Sequence, residues 1–422
     1  MSVEETPRPA AKADGGADGR SPSSSPGAAT AAARSPSASV SGAQDTPAGR
    51  RPSVINAQGL HPGLLHLEEQ EFRKQRRVCQ REASLPGAKP LRVLEDSSSR
   101  QRYIERCEAL RIPASSQVLK MLNTSSLSVQ QYGLTAVDAE AIADALQVYD
   151  CPVMAVLLQG NSVGARGAAA LCAAIERNVS AYGNAGVREL DLRDNDLAGE
   201  EAAGAVAALL ESPSCRLEVL KLGGNRFGTA GFRRIMQALA PYERCVELDV
   251  GACKLSDRDG RSIGLMLQRN RSVRCLNLGW NCINQTGMKY LVKGMIIGDA
   301  VRELCLEFNC IGNGGCQHIA RLARCRNLRY LDVSYNSIST AGFKAIARAF
   351  AQNRSLRRLY VDGNLIGNEG AKSLLRLMAA NDALECSAGG AGISRAFVAE
   401  IGERRRRSGG EAGGHPAEAA AS

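Results

Sequence analysis

Beyond residue 123, apolar and polar positions recur in one fixed frame. In LEVLKLGGNRFGTAGFRRIMQAL, Leu217, Leu220 and Leu222 precede Asn225 by eight, five and three positions, and Phe227 follows it by two. The frame returns at Val153, Val156, Leu158 and Asn161, at Val187, Leu190, Leu192 and Asn195, and at Val273, Leu276, Leu278 and Asn281. Asn309, Asn336 and Asn364 anchor three more copies, and Cys253 takes the Asn place in VELDVGACKL. A weaker first copy, LSVQQYGL, has Tyr132 there, so nine units are expected with the first degenerate. The later anchors are spaced by 28, 28, 28, 27 and 28 residues. An earlier step of 34 residues, from Asn161 to Asn195, holds SAYGNAG, which reads as a loop inserted after a helix.

Self-similarity at this period signals a solenoid. Each unit joins a short strand, whose alternate residues face opposite ways, to a helix with apolar residues at roughly 3.6 spacing. Neither element can bury its apolar face alone, so the units must stack. The predicted fold is an α/β solenoid, a horseshoe with a parallel sheet on its concave side and helices on its convex side. The Asn belongs where the chain turns sharply after the strand, because its amide can satisfy backbone groups that the turn leaves unpaired.

The LxxLxLxxNxL core, the glycines after it and the 27 to 28 residue period resemble the ribonuclease-inhibitor-like subfamily of leucine-rich repeats, over roughly residues 124–385. The entry segment YIERCEALRIPASSQVLKMLN and the following LSVQQYGLTAVDAEAIADAL are similar to those of the intracellular leucine-rich-repeat-containing 74 group. The resemblance implies a horseshoe that binds other proteins and is not an enzyme. The Ran GTPase-activating protein resembles the same horseshoe, which makes regulation of a small GTPase the alternative. That family carries an acidic C-terminal stretch, where this chain has ERRRRSGGEAGG. A structural subunit of a ciliary or cytoskeletal assembly is a further expectation of this repeat class.

The flanks read differently. Residues 1–58 contain runs such as SPSSSPGAATAAARSPSASVSG, too poor in apolar side chains to offset the entropy of ordering, and are expected to be disordered. GRRPS makes Ser53 a candidate phosphorylation site for a basophilic kinase. Residues 59–99 hold a charged helix at Leu64 to Arg81 and a linker, and residues 100–123 a helical cap broken at Pro113. A capping helix with a basic run is expected over 386–407, and a disordered tail over 408–422.

Composition adds three constraints. Of 422 residues, 44% are hydrophobic but only 4% aromatic, so the core must be aliphatic. The net charge of +10 sits largely outside the repeats, in EFRKQRRVCQRE at 71–82 and in Arg404 to Arg407. Fourteen cysteines are too scattered for a stapled domain, and no apolar run approaches the roughly 18 residues of a membrane span. Free thiols in a reducing compartment follow, hence a cytoplasmic location, with cilium, cytoskeleton and nucleus all compatible. Sequons at Asn178, Asn270 and Asn353 share one position in the repeat and suggest a turn.

Positions six, four and two before the anchor should face the open concave side. They include Glu189, Asp191, Glu247, Asp249, Glu303, Glu307, Asp332, Tyr360 and Asp362, against the bases Arg193, Lys221 and Arg358. An acidic concave face on a basic chain implies a protein partner with a basic surface. Polar residues that merely keep the sheet soluble would give the same pattern. Immediately before the Asn, three consecutive units carry Trp280, Phe308 and Tyr335 where the neighbouring units have Gly or Ala. This ladder is either a binding anchor or packing within the turn.

Enzyme signatures are weak. GNEGAKS at 367–373 lacks the spacing of a phosphate loop, and His318 has no partner constellation. Cys305, Cys310 and Cys316 fall on a strand, a turn and a helix, unlike a zinc knuckle. No cofactor, metal or small-molecule substrate is expected, and nucleic acid is disfavoured because the flanking bases lack interleaved aromatics.

Overall fold

The computed structural model describes residues 98–407. The expected tails at 1–58 and 408–422, the Ser53 site and the charged segment up to residue 97 lie outside the described residues. The chain enters through α1 (Ser99–Leu110) and α2 (Ser116–Met121). Ser98 caps α1 through its side chain, and the ring of Tyr103 is fully buried, its hydroxyl accepting from the Ser115 amide at 3.3 Å. Arg111 ends α1 in the left-handed region, two residues before Pro113.

Ten three-residue strands follow, hydrogen-bonded in chain order as one parallel sheet. They are β1 (Ser126–Ser128), β2 (Ala155–Leu157), β3 (Glu189–Asp191), β4 (Val219–Lys221), β5 (Glu247–Asp249), β6 (Cys275–Asn277), β7 (Glu303–Cys305), β8 (Tyr330–Asp332), β9 (Arg358–Tyr360) and β10 (Glu385–Ser387). Between successive strands run α3 (Ala136–Ala145), α4 (Gly164–Ser180), α5 (Gly199–Glu211), α6 (Gly228–Leu239), α7 (Asp257–Arg269), α8 (Gln285–Gly298), α9 (Gly312–Ile319), α10 (Thr340–Phe350) and α11 (Gly367–Ala380). Helix α12 (Arg395–Arg407) closes the array, with Ile401 buried against it.

The fold is the expected α/β leucine-rich solenoid, with one strand more than the nine anticipated units. β10 lies in the 386–407 segment expected to be only a capping helix. Its register with β9 puts Cys386 in the row of Leu359 and Ala391 where Asn364 stands, so neither signature residue marks it.

Strand pairing aligns Leu127, Val156, Leu190, Leu220, Leu248, Leu276, Leu304, Leu331 and Leu359 in one row, all fully buried. Burying one such side chain stabilises by roughly 1.5–3 kcal/mol, and each does so only because both neighbouring units are present. The helices draw together where side chains are absent. A Cβ on Gly264 of α7 would lie 2.3 Å from the Tyr290 carbonyl of α8.

The anchor asparagines tie each turn to the unit before it. Asn225 donates from Nδ2 to the carbonyls of Leu192 and Leu222, both at 2.8 Å, while its Oδ1 accepts from the amides of Asn195 at 3.2 Å and Leu197 at 2.9 Å. Asn364 repeats the arrangement with Val333, Val361, Asn336 and Ile338. Cys253 offers only one weak bond, Sγ to the Leu222 carbonyl at 3.4 Å. A second asparagine row lies at the helix ends. Asn270 donates to the Leu239 and Tyr242 carbonyls and accepts from the amides of Ser272 and Val273, and Asn353 and Asn178 reach the preceding unit in the same way. The sequons are therefore structural brackets whose amide nitrogens are engaged.

Two substitutions probe the bracket in opposite directions. Asn225→Ala leaves buried backbone groups without partners and should cost about 3 kcal/mol, whereas Cys253→Asn restores the bracket and should add about 1 kcal/mol. Denaturant midpoints followed by circular dichroism measure both.

Candidate functional site

Residues at the outer positions of each strand, and one position beyond, form three parallel rows on the open face of the sheet. The first holds Glu189, Val219, Glu247, Cys275, Glu303, Tyr330, Arg358 and Glu385. The second holds Asp191, Lys221, Asp249, Asn277, Cys305, Asp332, Tyr360 and Ser387. The third includes Arg193, Glu307 and Asp362. Thus the strands place the expected acids in common rows, each separated from the next by at least one non-acidic residue.

Over β3–β5 the acids are neutralised within the array. Lys221 Nζ lies 3.1 Å from Glu189 and 3.7 Å from Glu247. Arg193 holds Asp191 at 2.7 Å and reaches Asp249, two strands away, at 3.7 Å. Burial pushes the carboxyls of Glu247 and Asp249 above their ordinary values, and the nearby Lys221 and Arg193 charges oppose that shift.

The second-row acids also have a local task. Asp191, Asp249 and Asp332 accept from the backbone amides of Arg193, Gly251 and Ser334 at 3.1, 2.9 and 2.8 Å, and Asn277 does the same for Gly279. These side chains close the strand end, which an alternating-pattern argument does not show. Asp332 is 0% exposed and also accepts from the Tyr330 hydroxyl at 3.1 Å. The rings of Tyr330 and Tyr360 meet edge to face at 5.4 Å, with Cys275 and Cys305 in the same buried group. At the far end Ser387 donates to Asp362 at 2.7 Å, and Arg358 lies 3.4 Å from Glu385.

The aromatic ladder runs along the edge where the strands end. Trp280 stacks on Phe308 with ring centroids 3.8 Å apart, and Phe308 on Tyr335 at 4.2 Å, the latter pair within 5° of parallel. Tyr335 in turn lies over Gly363, where a Cβ would be 2.2 Å from the ring. Trp280 is 43% exposed, and Phe308 and Tyr335 are half-buried. All three residues have positive φ, at 59°, 50° and 54°. Equivalent sites elsewhere hold Gly160, Gly224 and Gly363, which adopt this region at no steric cost, and also Gln131, Asp194 and Ala252 at 52°, 52° and 53°, so the turn imposes it on every unit. A side chain there costs roughly 1–2 kcal/mol per residue. Each stack returns about 0.5–1.5 kcal/mol. Three strained residues and two stacks leave no clear gain in stability.

Glu307 stands one residue before Phe308 and joins the ladder to the acidic rows. Burial, with the Asp332 charge, raises its carboxyl to about 7, while a hydrogen bond from Trp280 pulls the other way. Of the residues weighed for enzyme or metal chemistry, Cys316 lies in the core, Cys305 on the open face and Cys310 at an exposed turn. Helix α9 begins at Gly312 and carries His318 near its end. GNEGAKS forms the start of α11, as the other units start their helices.

The chain has one tryptophan, so Trp280 reports on Glu307. Its emission should titrate with a midpoint near 7 and lose that transition in Glu307→Gln. The sign for stability follows from proton uptake. The folded carboxyl keeps a proton that the unfolded chain has released above 4.5, so stability falls as pH rises from there through about 7. In Glu307→Gln that fall should diminish, read from denaturant midpoints across the range.

A family model described as leucine-rich repeat matches residues 269–292, 324–347 and 352–375. The chain is 25% identical to the ribonuclease inhibitor of Sus scrofa over 268 residues, 56% of each chain. It is 26% identical to the ribonuclease inhibitor of Mus musculus over 230 residues, 54% of this chain and 49% of that one. Over 167 residues it is 28% identical to NACHT, LRR and PYD domains-containing protein 4E of Mus musculus, 39% of this chain and 17% of that protein. The chain thus spans about half the length of the ribonuclease inhibitors it matches and a smaller share of the NACHT protein. Repeat frame, sheet and relatives agree: the chain carries a leucine-rich-repeat solenoid similar to that of the ribonuclease inhibitors.

Proposed function

We propose that this chain is a non-catalytic scaffold or adaptor that binds a protein partner through its concave side, with Trp280, Phe308 and Tyr335 as anchors. The observation that carries the reading is the ladder itself: three consecutive rings, stacked at 3.8 and 4.2 Å, each on a backbone conformation that favours glycine. Exposed and half-buried aromatics beside a polar rim are the residues on which interface energy concentrates. Repeat arrays present such surfaces on their curved inner side.

The rim is acidic, with Glu303 and Glu307 just before Phe308, Asp362 joined to the Tyr335 amide through its backbone carbonyl, and Glu189 and Glu247 further along. Asp191, Asp249 and Asp332 hold strand ends and add their charge. Tyr360 lies among them. A partner with a basic surface fits, because complementary potential speeds encounter and fixes register. An arginine or lysine of that partner could rest against the rings while facing Glu307. The names of the ribonuclease inhibitors describe proteins that engage other proteins, which supports a binding role for the shared repeat. Its free, buried thiols suit a cytoplasmic site of action.

Full-length chain should retain specific proteins from cell lysate, and Trp280→Gly, Phe308→Gly, Tyr335→Gly in one chain should lose them by at least ten-fold. Glycine is chosen because it suits the backbone at these sites. Equal retention by both chains would overturn the ladder as the anchor.

A further inference from the structure

The helical side of the array carries charge of the opposite sign to the sheet, concentrated over α6, α7 and α8. Helices α6 and α8 contain no acid, and α7 contains Asp257 and Asp259. Both of these hold backbone. Asp257 accepts from the amides of Asn284 and Gly287 at 2.9 and 3.0 Å, and Asp259 is buried in the cap of α7, where it accepts from the amide and hydroxyl of Ser256. Arg233, Arg258, Arg261, Arg269, Lys289 and Lys293 are exposed on the same three helices, and among the described residues none of them forms an ion pair. Bases gathered in this way with no acid to neutralise them set up a positive potential over the surface.

A groove of about 530 Å³ opens in the middle of this basic surface, between α6 and α7. Arg233 and Met236 line it from α6, Leu265, Met266 and Arg269 from α7, and Ile297 from α8. The two methionines are buried, whereas Leu265 and Ile297 are 55% and 47% exposed. Glycine accounts for the opening. A Cβ on Gly294 of α8 would lie 2.2 Å from the Gly264 carbonyl, and one on Gly298 2.2 Å from that of Leu267, so α7 packs closely on α8. Gly231 does the same for α6 against α5, where its Cβ would be 2.9 Å from that of Ala203. The close pairs α5 with α6 and α7 with α8 leave α6 and α7 more loosely joined.

We infer that this groove docks an acidic amphipathic helix of a protein partner. Apolar side chains of that helix cover Leu265 and Ile297 and press on the methionines, whose flexible thioethers adapt to what they meet. Its acids meet Arg233 and Arg269. The repeat sets their interval: 28 residues back from Arg269 is position 241, eight past Arg233, which corresponds to about 12 Å along the helix axes. The occupant therefore carries two acids about two turns apart on the face that bears its apolar residues. An anionic lipid surface fits less well, because two aliphatic side chains beside a groove give it little to insert and leave the groove unfilled. The inference is independent of the aromatic ladder and gives the array a second binding surface.

Panning a displayed library of helical peptides on the full-length chain tests this directly. The selected peptides should carry two acids about eight residues apart with apolar residues between them. A fluorescent copy of the strongest binder should lose affinity by about ten-fold or more in Arg233→Glu, Arg269→Glu and in Leu265→Asp, Ile297→Asp. All four side chains are exposed, so both variants should keep the circular dichroism of the parent. Replacing the two acids of the peptide by lysine should restore its affinity for the first variant. Selection of peptides without the acid pair, or binding indifferent to both variants, would overturn the inference. Phosphatidylserine vesicles that bind the parent but neither variant, with no peptide selected, would overturn it in favour of a membrane. The chain with glycine at 280, 308 and 335 should bind the peptide as the parent does, which separates this test from that of the ladder.

Discussion

One buried amide per unit governs the rest. The anchor asparagine satisfies two carbonyls and two backbone amides at once, and three of those four groups belong to the preceding unit. Without it the turn after each strand would bury polar backbone with no partner, at a cost of roughly 1–3 kcal/mol per group. With it, the strand stops after three residues and the chain turns back as a helix, and the leucine row comes into line. The same bracket constrains the residue just before the asparagine, which in most units takes a positive φ. The ladder therefore inherits its spacing and parallel rings from the turn.

What could be read from the sequence follows this division. The leucine and asparagine rows were legible because each is a single residue type at a fixed interval, and they specified the sheet and its order. The tenth strand was not, since Cys386 and Ala391 occupy the two diagnostic places and fill them by size alone. The acids could be assigned to the open face by alternation. Their pairing could not, because Arg193 and Asp249 stand two strands apart and no spacing links them. Spacing puts Asp332 four places and Glu307 two places before the anchor, but it does not reveal that the first closes a strand end and the second faces the indole. The aromatics were recognisable as neighbours, but their left-handed backbone is a property of the turn and carries no residue signature when glycine is absent.

That backbone shapes the functional argument. A ring selected for packing would sit where the chain is relaxed and water is excluded. These three rings stand on strained residues at the rim of a charged face, and the outermost is nearly half exposed. The acids nearby divide into those that hold the sheet together and those whose charge is available to steer a partner. Glu307, with its carboxyl raised to about 7, lies at the junction of the two and makes the surface responsive to pH near neutrality.

The most direct test of the ladder's purpose is the unfolding free energy of the chain carrying Trp280→Gly, Phe308→Gly and Tyr335→Gly together. If the rings are kept for recognition, relief of strain offsets the lost stacking, and stability stays within about 2 kcal/mol of the parent. A loss of roughly 10 kcal/mol, as three core aromatics would give, would contradict the account and make the ladder part of the packing.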